Sequence, residues 1–189
     1  LFEISGERRY RGAVTDILRY ERSLYNEARQ NWRDCRDAVQ MLYPDQHVFS
    51  TGWAHGAPGI GLARLELLKG NVAEQAVLEQ ELTTALATTL RAGFKQSHNL
   101  TMGSFGSLEL LFTYGWQEND PAFLDKSKKI ASALLQQIQD TGWNCGLPNK
   151  LLTPGFMTGV TGIGYQCLRM AAPEQVPSIL LTQSPFQTI

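Results

Sequence analysis

An all-α fold built from helical hairpins is what this sequence predicts, and three observations predict it. No segment sustains the two-residue alternation of a strand. Instead, apolar helices that open on glycine alternate with amphipathic ones. The pattern x-G-x-x-G recurs where the apolar helices begin, as His55-Gly56-Ala57-Pro58-Gly59, Met102-Gly103-Ser104-Phe105-Gly106 and Thr158-Gly159-Val160-Thr161-Gly162, at spacings of 47 and 56 residues. A repeat of that length is a two-helix unit. Such hairpins either stack into a solenoid or close into an α/α barrel with inner apolar and outer amphipathic layers. Closure is expected, because helices that are apolar all round need neighbours on every side.

The elements follow in order. A first helix is expected from about Arg8 to Tyr25, with Val14, Ile17, Leu18, Leu24 and Tyr25 on one face and Arg11, Arg19 and Arg22 on the other. After a loop through Trp32, Cys35 and Pro44, a second helix opens at Gly56 to Pro58 and runs to Lys69, apolar around most of its circumference. Gly70 ends it, and Asn71 with Glu74 reads as a capping box for the next helix. That helix carries Leu78, Leu82, Ala85, Leu86 and Leu90 on one stripe. Gly103 opens another apolar helix through Leu108, Leu111 and Tyr114, and Asp120-Pro121 starts its amphipathic partner, with Phe123, Ile130, Leu134 and Ile138 facing in. Gly159 opens the last, through Ile163, Cys167, Leu168 and Met170. From Pro173 onward, Pro177, Ser178, Ser184 and Pro185 interrupt any helix, which predicts a tail.

Composition narrows the function classes. With 189 residues, 43% of them hydrophobic, the chain can bury one core, so residues 1–189 are expected to form a single domain. Seventeen basic and 18 acidic residues give a net charge of −1, leaving no basic footprint for nucleic acid and no polybasic membrane patch. No apolar run is long enough to span a membrane. Three well-separated cysteines, Cys35, Cys145 and Cys167, fit a reducing cytoplasm better than a disulfide framework. The start at Leu1-Phe2-Glu3, without methionine, reads as the tail of a helix and as part of a longer protein.

Several motifs together resemble one family. Gly52-Trp53-Ala54-His55-Gly56-Ala57-Pro58-Gly59-Ile60 is similar to the Trp-Cys-His-Gly-Ala-Pro-Gly-Ile segment of the LanC-like cyclase domain of class II lanthipeptide synthetases. Leu100-Thr101-Met102-Gly103 resembles that family's Leu-Cys-His-Gly segment, and Pro154 to Tyr165 with Pro177-Ser178-Ile179-Leu180-Leu181 resembles its C-terminal signature. Tyr20 to Tyr25 also matches a recurrent family segment. The resemblance covers the C-terminal part of the cyclase domain. It implies a partial α/α toroid with zinc where the inner helices begin. The implied chemistry is addition of cysteine thiols to dehydroalanine or dehydrobutyrine in a precursor peptide, the implied partner. A partial toroid also leaves inner-helix flanks exposed, so self-association or a complementary chain is expected.

The chain departs from the family at the metal. By the resemblance, the zinc ligands align with Ala54, Thr101 and Met102. A methyl cannot ligate, a hydroxyl is a poor zinc donor, and a thioether is too soft and neutral to replace thiolate or imidazole. No zinc and no other cofactor is therefore expected. His55, beside Ala54, is the candidate acid or base, and also reads as an inherited histidine satisfied by a backbone carbonyl. Trp53, Gly56, Gly103 and Arg64 are the candidate peptide-binding residues, with Trp116 and Trp143 as further rim candidates. His98 reads as a loop or cap histidine, Cys145 and Cys167 as inert, and Arg64, Glu66 and Glu109 as lumen-facing or ion-paired charges. Two activities stay open: thioether closure without metal, using His55, or a degenerate domain that binds peptide or protein without catalysis. An α/α-barrel carbohydrate enzyme would instead need Glu66 and Glu109 as a lumen pair.

Overall fold

The computed structural model describes residues 5–94 and 97–184. The expected helix tail at Leu1 to Glu3, and Pro185, lie outside them. The described helices are α1 (Arg8–Ser23), α2 (Asp37–Leu42), α3 (Ala57–Leu67), α4 (Gln75–Ala92), α5 (Ser104–Gln117), α6 (Pro121–Thr141) and α7 (Val160–Ala171). A two-residue ladder, β1 (Tyr25–Asn26) with β2 (Asn31–Trp32), is antiparallel and pairs Tyr25 with Trp32. The fold is all-α, and α5 is its centre: it packs on α6, α3, α7 and α4. Every residue of α5 from Ser104 to Thr113 is buried, the polar Ser107, Glu109 and Thr113 included. Leu62 and Leu65 of α3, Leu82 and Leu86 of α4, and Ile163 of α7 close the core around Phe105, Leu108 and Leu111.

The expected helix starts appear with one exception, and one helix, α2, forms at Asp37–Leu42 inside the segment expected to be a loop, capped by the extended Arg36. Asp120 caps α6, its carboxylate accepting from the N–H groups of Ala122 at 2.9 Å and Phe123 at 3.1 Å, with Pro121 in the first turn. The Asn71–Glu74 capping box does not form. Glu74 is itself the N-cap, without a side-chain cap bond, and the Gln75 amide reaches back to the Gly70 carbonyl instead.

Three further expectations need correction. The first helix stops at Ser23, since Tyr25 turns into the short ladder and packs its ring on Trp32, centroids 5.1 Å apart. Its apolar face is weak: Leu18 is buried, yet Ile17 is 57% exposed, and ion pairs from Glu21 and Arg22 to the α3–α4 hairpin tie it down. Helix α7 is not apolar all round. It buries Gly162, Ile163, Gln166 and Arg169, while Leu168 is 62% exposed. Finally, the segment after Pro173 is no loose tail, because Ser178 and Leu180 are buried against the inner helices. Prolines end the helix there without freeing the chain. Among the described residues, no helix is long and apolar enough to cross a membrane.

Candidate functional site

The loops that feed α3, α5 and α7 share one geometry, which explains the repeated glycines. A Cβ on Gly56 would overlap the Ser50 carbonyl, and one on Gly59 the Trp53 carbonyl. Gly103 and Gly106 stand in the same relation to Ser97 and Leu100, and Gly159 and Gly162 to Thr153 and Phe156. Each loop therefore folds under its own helix start, closer than any side chain permits. Gly56 adds a φ of 112°, a conformation that disfavours side chains.

Hydrogen bonds zip the loops together in order. Ala54 N–H donates to the Thr101 carbonyl at 2.8 Å, and the N–H groups of Leu100 and Thr101 both donate to the Met157 carbonyl, at 3.1 and 3.3 Å. Asn99 fixes the middle loop, its Oδ1 accepting from the N–H groups of Met102 and Gly103 and its Nδ2 donating to the Cys145 carbonyl. His98 is buried and exchanges two bonds with Asn144: its N–H donates to the Asn144 carbonyl, and its Nδ1 accepts the Asn144 N–H at 3.0 Å. Burial and then Lys150 hold the His98 pKa below the ordinary value of 6.5. The loop reading of His98 is thus specific: it binds the 143–146 loop to the middle helix start.

This frame brings Ala54, Thr101 and Met102 together, yet it offers a metal nothing to bind. The Thr101 hydroxyl donates to the Met157 carbonyl at 2.8 Å, and the Met102 thioether lies over Gly52, where even a Cβ would meet its sulfur. Among the described residues, no three His, Cys, Asp or Glu side chains gather closely enough to hold an ion. Zinc does not fit the donors present.

Beside the frame opens a cavity of about 670 Å³, walled by α1, the 32–36 loop, the start of α3 and the segment 180–182. His55, Trp53 and Gly56 line it, as the sequence suggested. Gly103 and Arg64 do not. Gly103 is buried beneath the backbone of Ser97 and Asn99. Arg64 is 1% exposed, its guanidinium held by Glu21 and Glu81 at 2.7 Å each, so it knits α1 to the α3–α4 hairpin. Trp116 lies at the far end of α5, stacked on Phe112, and Trp143 is exposed beside Asn144; neither lines the cavity. Glu109 and Glu66 are also elsewhere. Glu109 is enclosed by donors from α5, α7 and Ser178, and Glu66 pairs with Lys69.

Sequence reading missed the polar group opposite His55. Arg36 forks onto the Asp34 carboxylate, Nε at 2.9 Å and Nη2 at 2.7 Å, while Ser50 donates to the same carboxylate. The Arg36 hydrogen bonds hold Asp34 far below the usual carboxylate range. His55 is pushed below its ordinary 6.5, chiefly by burial and then by Arg36, so it is neutral at pH 7. Cys35 lines the same cavity. The one sequence signal was the run Arg33-Asp34-Cys35-Arg36 in a loop after Trp32.

A family profile described as lanthionine synthetase C-like protein matches residues 2–181. The chain belongs to the lanthionine synthetase C-like family. A relative in Lactococcus lactis subsp. lactis, the lacticin 481/lactococcin biosynthesis protein LcnDR2, is 26% identical over 195 residues, which is 95% of this chain and 20% of that protein. The chain therefore spans about a fifth of the length of that relative.

Proposed function

We propose that this chain is a cyclase-like domain of lanthipeptide biosynthesis that binds a precursor peptide in the cavity at Trp53 and His55 without zinc-dependent ring closure. The observation that carries the reading is the donor set at the helix starts: a methyl, a hydroxyl already bonded to Met157, and a thioether packed on Gly52. Bound zinc would lower a thiol's pKa, and these groups supply no thiolate or imidazole to hold it. What supports peptide binding is the cavity, with an indole, aliphatic walls and a neutral imidazole around a volume suited to a few side chains.

A second reading has its own support, because His55 faces the cavity and is unprotonated at neutral pH. As a base it would take the thiol proton. The sulfur would then bond to the β-carbon as the C=C π bond breaks, and the α-carbon would take up a proton. One experiment separates the readings. The chain is incubated with a dehydrated precursor, and free thiols are counted with an alkylating probe while binding is followed by anisotropy. Binding with unchanged thiols is expected; loss of thiols that His55→Ala abolishes would replace the first reading by the second, and absence of binding would sink both.

A further inference from the structure

The buried cluster at Glu109 has no part in the cavity, yet it holds one of the cavity's walls. Glu109 is 0% exposed in the middle of α5, and four donors saturate its carboxylate: Thr113 Oγ1 at 3.0 Å, Arg169 Nε at 2.8 Å, Gln166 Nε2 at 2.5 Å and Ser178 Oγ at 2.5 Å. Three come from outside α5. Arg169 uses a second nitrogen, Nη1, to donate to the Val176 carbonyl at 2.9 Å, and Tyr165 donates its hydroxyl to the Pro177 carbonyl at 2.8 Å. Residues 176, 177 and 178 are thus each fastened, in sequence, to the inner helices.

The chain then continues straight into the cavity wall. Leu180, Leu181 and Thr182 line the cavity opposite Trp32 and the start of α3, and Leu180 is 6% exposed. This segment has no ladder or helix to hold it. Its backbone hydrogen bonds, Val176 N–H to Ala172 and Gln183 N–H to Ser178 among them, are local turns. Tertiary anchoring therefore falls to side chains, and the charged one among the acceptors is Glu109. A charge-assisted bond to a fully buried carboxylate is stronger than a neutral one, so the anchor is firm for its size.

We infer that Glu109 is a positioning residue that locks the strap 176–182 as one wall of the peptide cavity, so that releasing the strap opens the site. The inference rests on the proposed reading only where it names the peptide. The geometry of clasp, strap and cavity stands apart from it, and so does its readout. Cys35 lies inside the cavity, so its alkylation rate reports how open the cavity is with no ligand present. Cys145 is buried, and Cys167 is resolved from Cys35 by mass spectrometry of the digested chain.

The test compares the full chain with Ser178→Ala and Glu109→Gln, by hydrogen exchange of 176–182 and N-ethylmaleimide labelling of Cys35. Ser178→Ala keeps the Glu109–Arg169 pair intact, so it stays folded should Glu109→Gln not. Faster exchange in the strap, unchanged exchange in α5, and Cys35 labelling raised about tenfold are expected from loss of one charge-assisted bond. A strap that exchanges no faster shows that Glu109 does not hold it. Faster strap exchange with Cys35 labelling within twofold of wild type shows that the strap is not the wall. Affinity for a dehydrated precursor, measured alongside, is expected to fall by about the same factor. A wild-type chain that binds no precursor sinks the proposed function, and the Cys35 rates then decide the clasp alone.

Discussion

At the helix starts, glycines and backbone hydrogen bonds hold Ala54, Thr101 and Met102 side by side; further along α5, at Glu109, side chains do the holding. The difference teaches what each region can lose. Apart from the Asn99 side chain, the frame is held by backbone bonds, so the side chains at 54, 101 and 102 can change at small cost while the loops stay zipped. A buried carboxylate tolerates such change poorly, because each donor it loses leaves charge unsatisfied at a fully buried group.

The comparison breaks first at Glu109. Glu109→Ala strands Arg169, 4% exposed on its side chain, without a counter-charge. A loss of about 3–5 kcal/mol in chemical denaturation is expected, the usual cost of breaking a buried pair. A loss below about 1 kcal/mol would mean that the cluster relaxes onto other partners. At the helix starts the sensitive residues are the glycines. Gly106→Ala drives a Cβ into the Leu100 carbonyl, a backbone atom that cannot swing away. About 3 kcal/mol is expected to be lost, toward the upper end for overpacking. An unchanged denaturation midpoint would show that the loop has room the geometry denies.

A pH titration sharpens the same contrast. His98 has a folded pKa below its ordinary 6.5, so as pH falls the unfolded chain binds the proton first. Its contribution is fully present above 6.5 and is lost as the pH drops through the folded value. Protonation also turns the Nδ1 acceptor of the Asn144 N–H into a donor. Stability is expected to decline from pH 7 to pH 5, and a His98→Asn variant to decline less steeply; parallel slopes would remove His98 from the account. Asp34, held low by Arg36, adds a second decline below its ordinary 3.8. The smallest effect is expected from Thr101→Val, which removes the hydroxyl bond to Met157 and costs about 1 kcal/mol. That change should leave peptide affinity as it was, since Thr101 does not line the cavity.

Much of this was legible in the residues. Helical period and glycine spacing located α3, α5 and the other long helices, because a buried apolar stripe is a local property of the sequence. The rest depends on contacts far apart in sequence. Glu109 stood out as a charge on an apolar helix, but its partners Gln166, Arg169 and Ser178 lie 57, 60 and 69 residues away. Helix α7 read as apolar all round because its polar residues gave no hint that they turn inward to a carboxylate. The strap read as a tail for the same reason: Ser178 and the prolines around it break a helix whether or not something fastens them. The Asp34–Arg36 pair sits in a loop without period, where no pattern singles it out.

The proposed function turns on Ala54, Thr101 and Met102, which offer no thiolate or imidazole, standing where the resemblance places the family's zinc donors. Metal content of the purified wild-type chain, set beside the triple variant Ala54→Cys, Thr101→Cys, Met102→His after equilibration with zinc, tests it most directly. Ala54 and Thr101 are already hydrogen-bonded backbone to backbone at 2.8 Å, which puts the introduced thiols and imidazole in one region. The expected result is zinc far below stoichiometry in the wild type and about one ion per chain in the variant, as three ligands plus water suffice. Stoichiometric zinc in the wild type, or none in the variant despite a native fold, would contradict it.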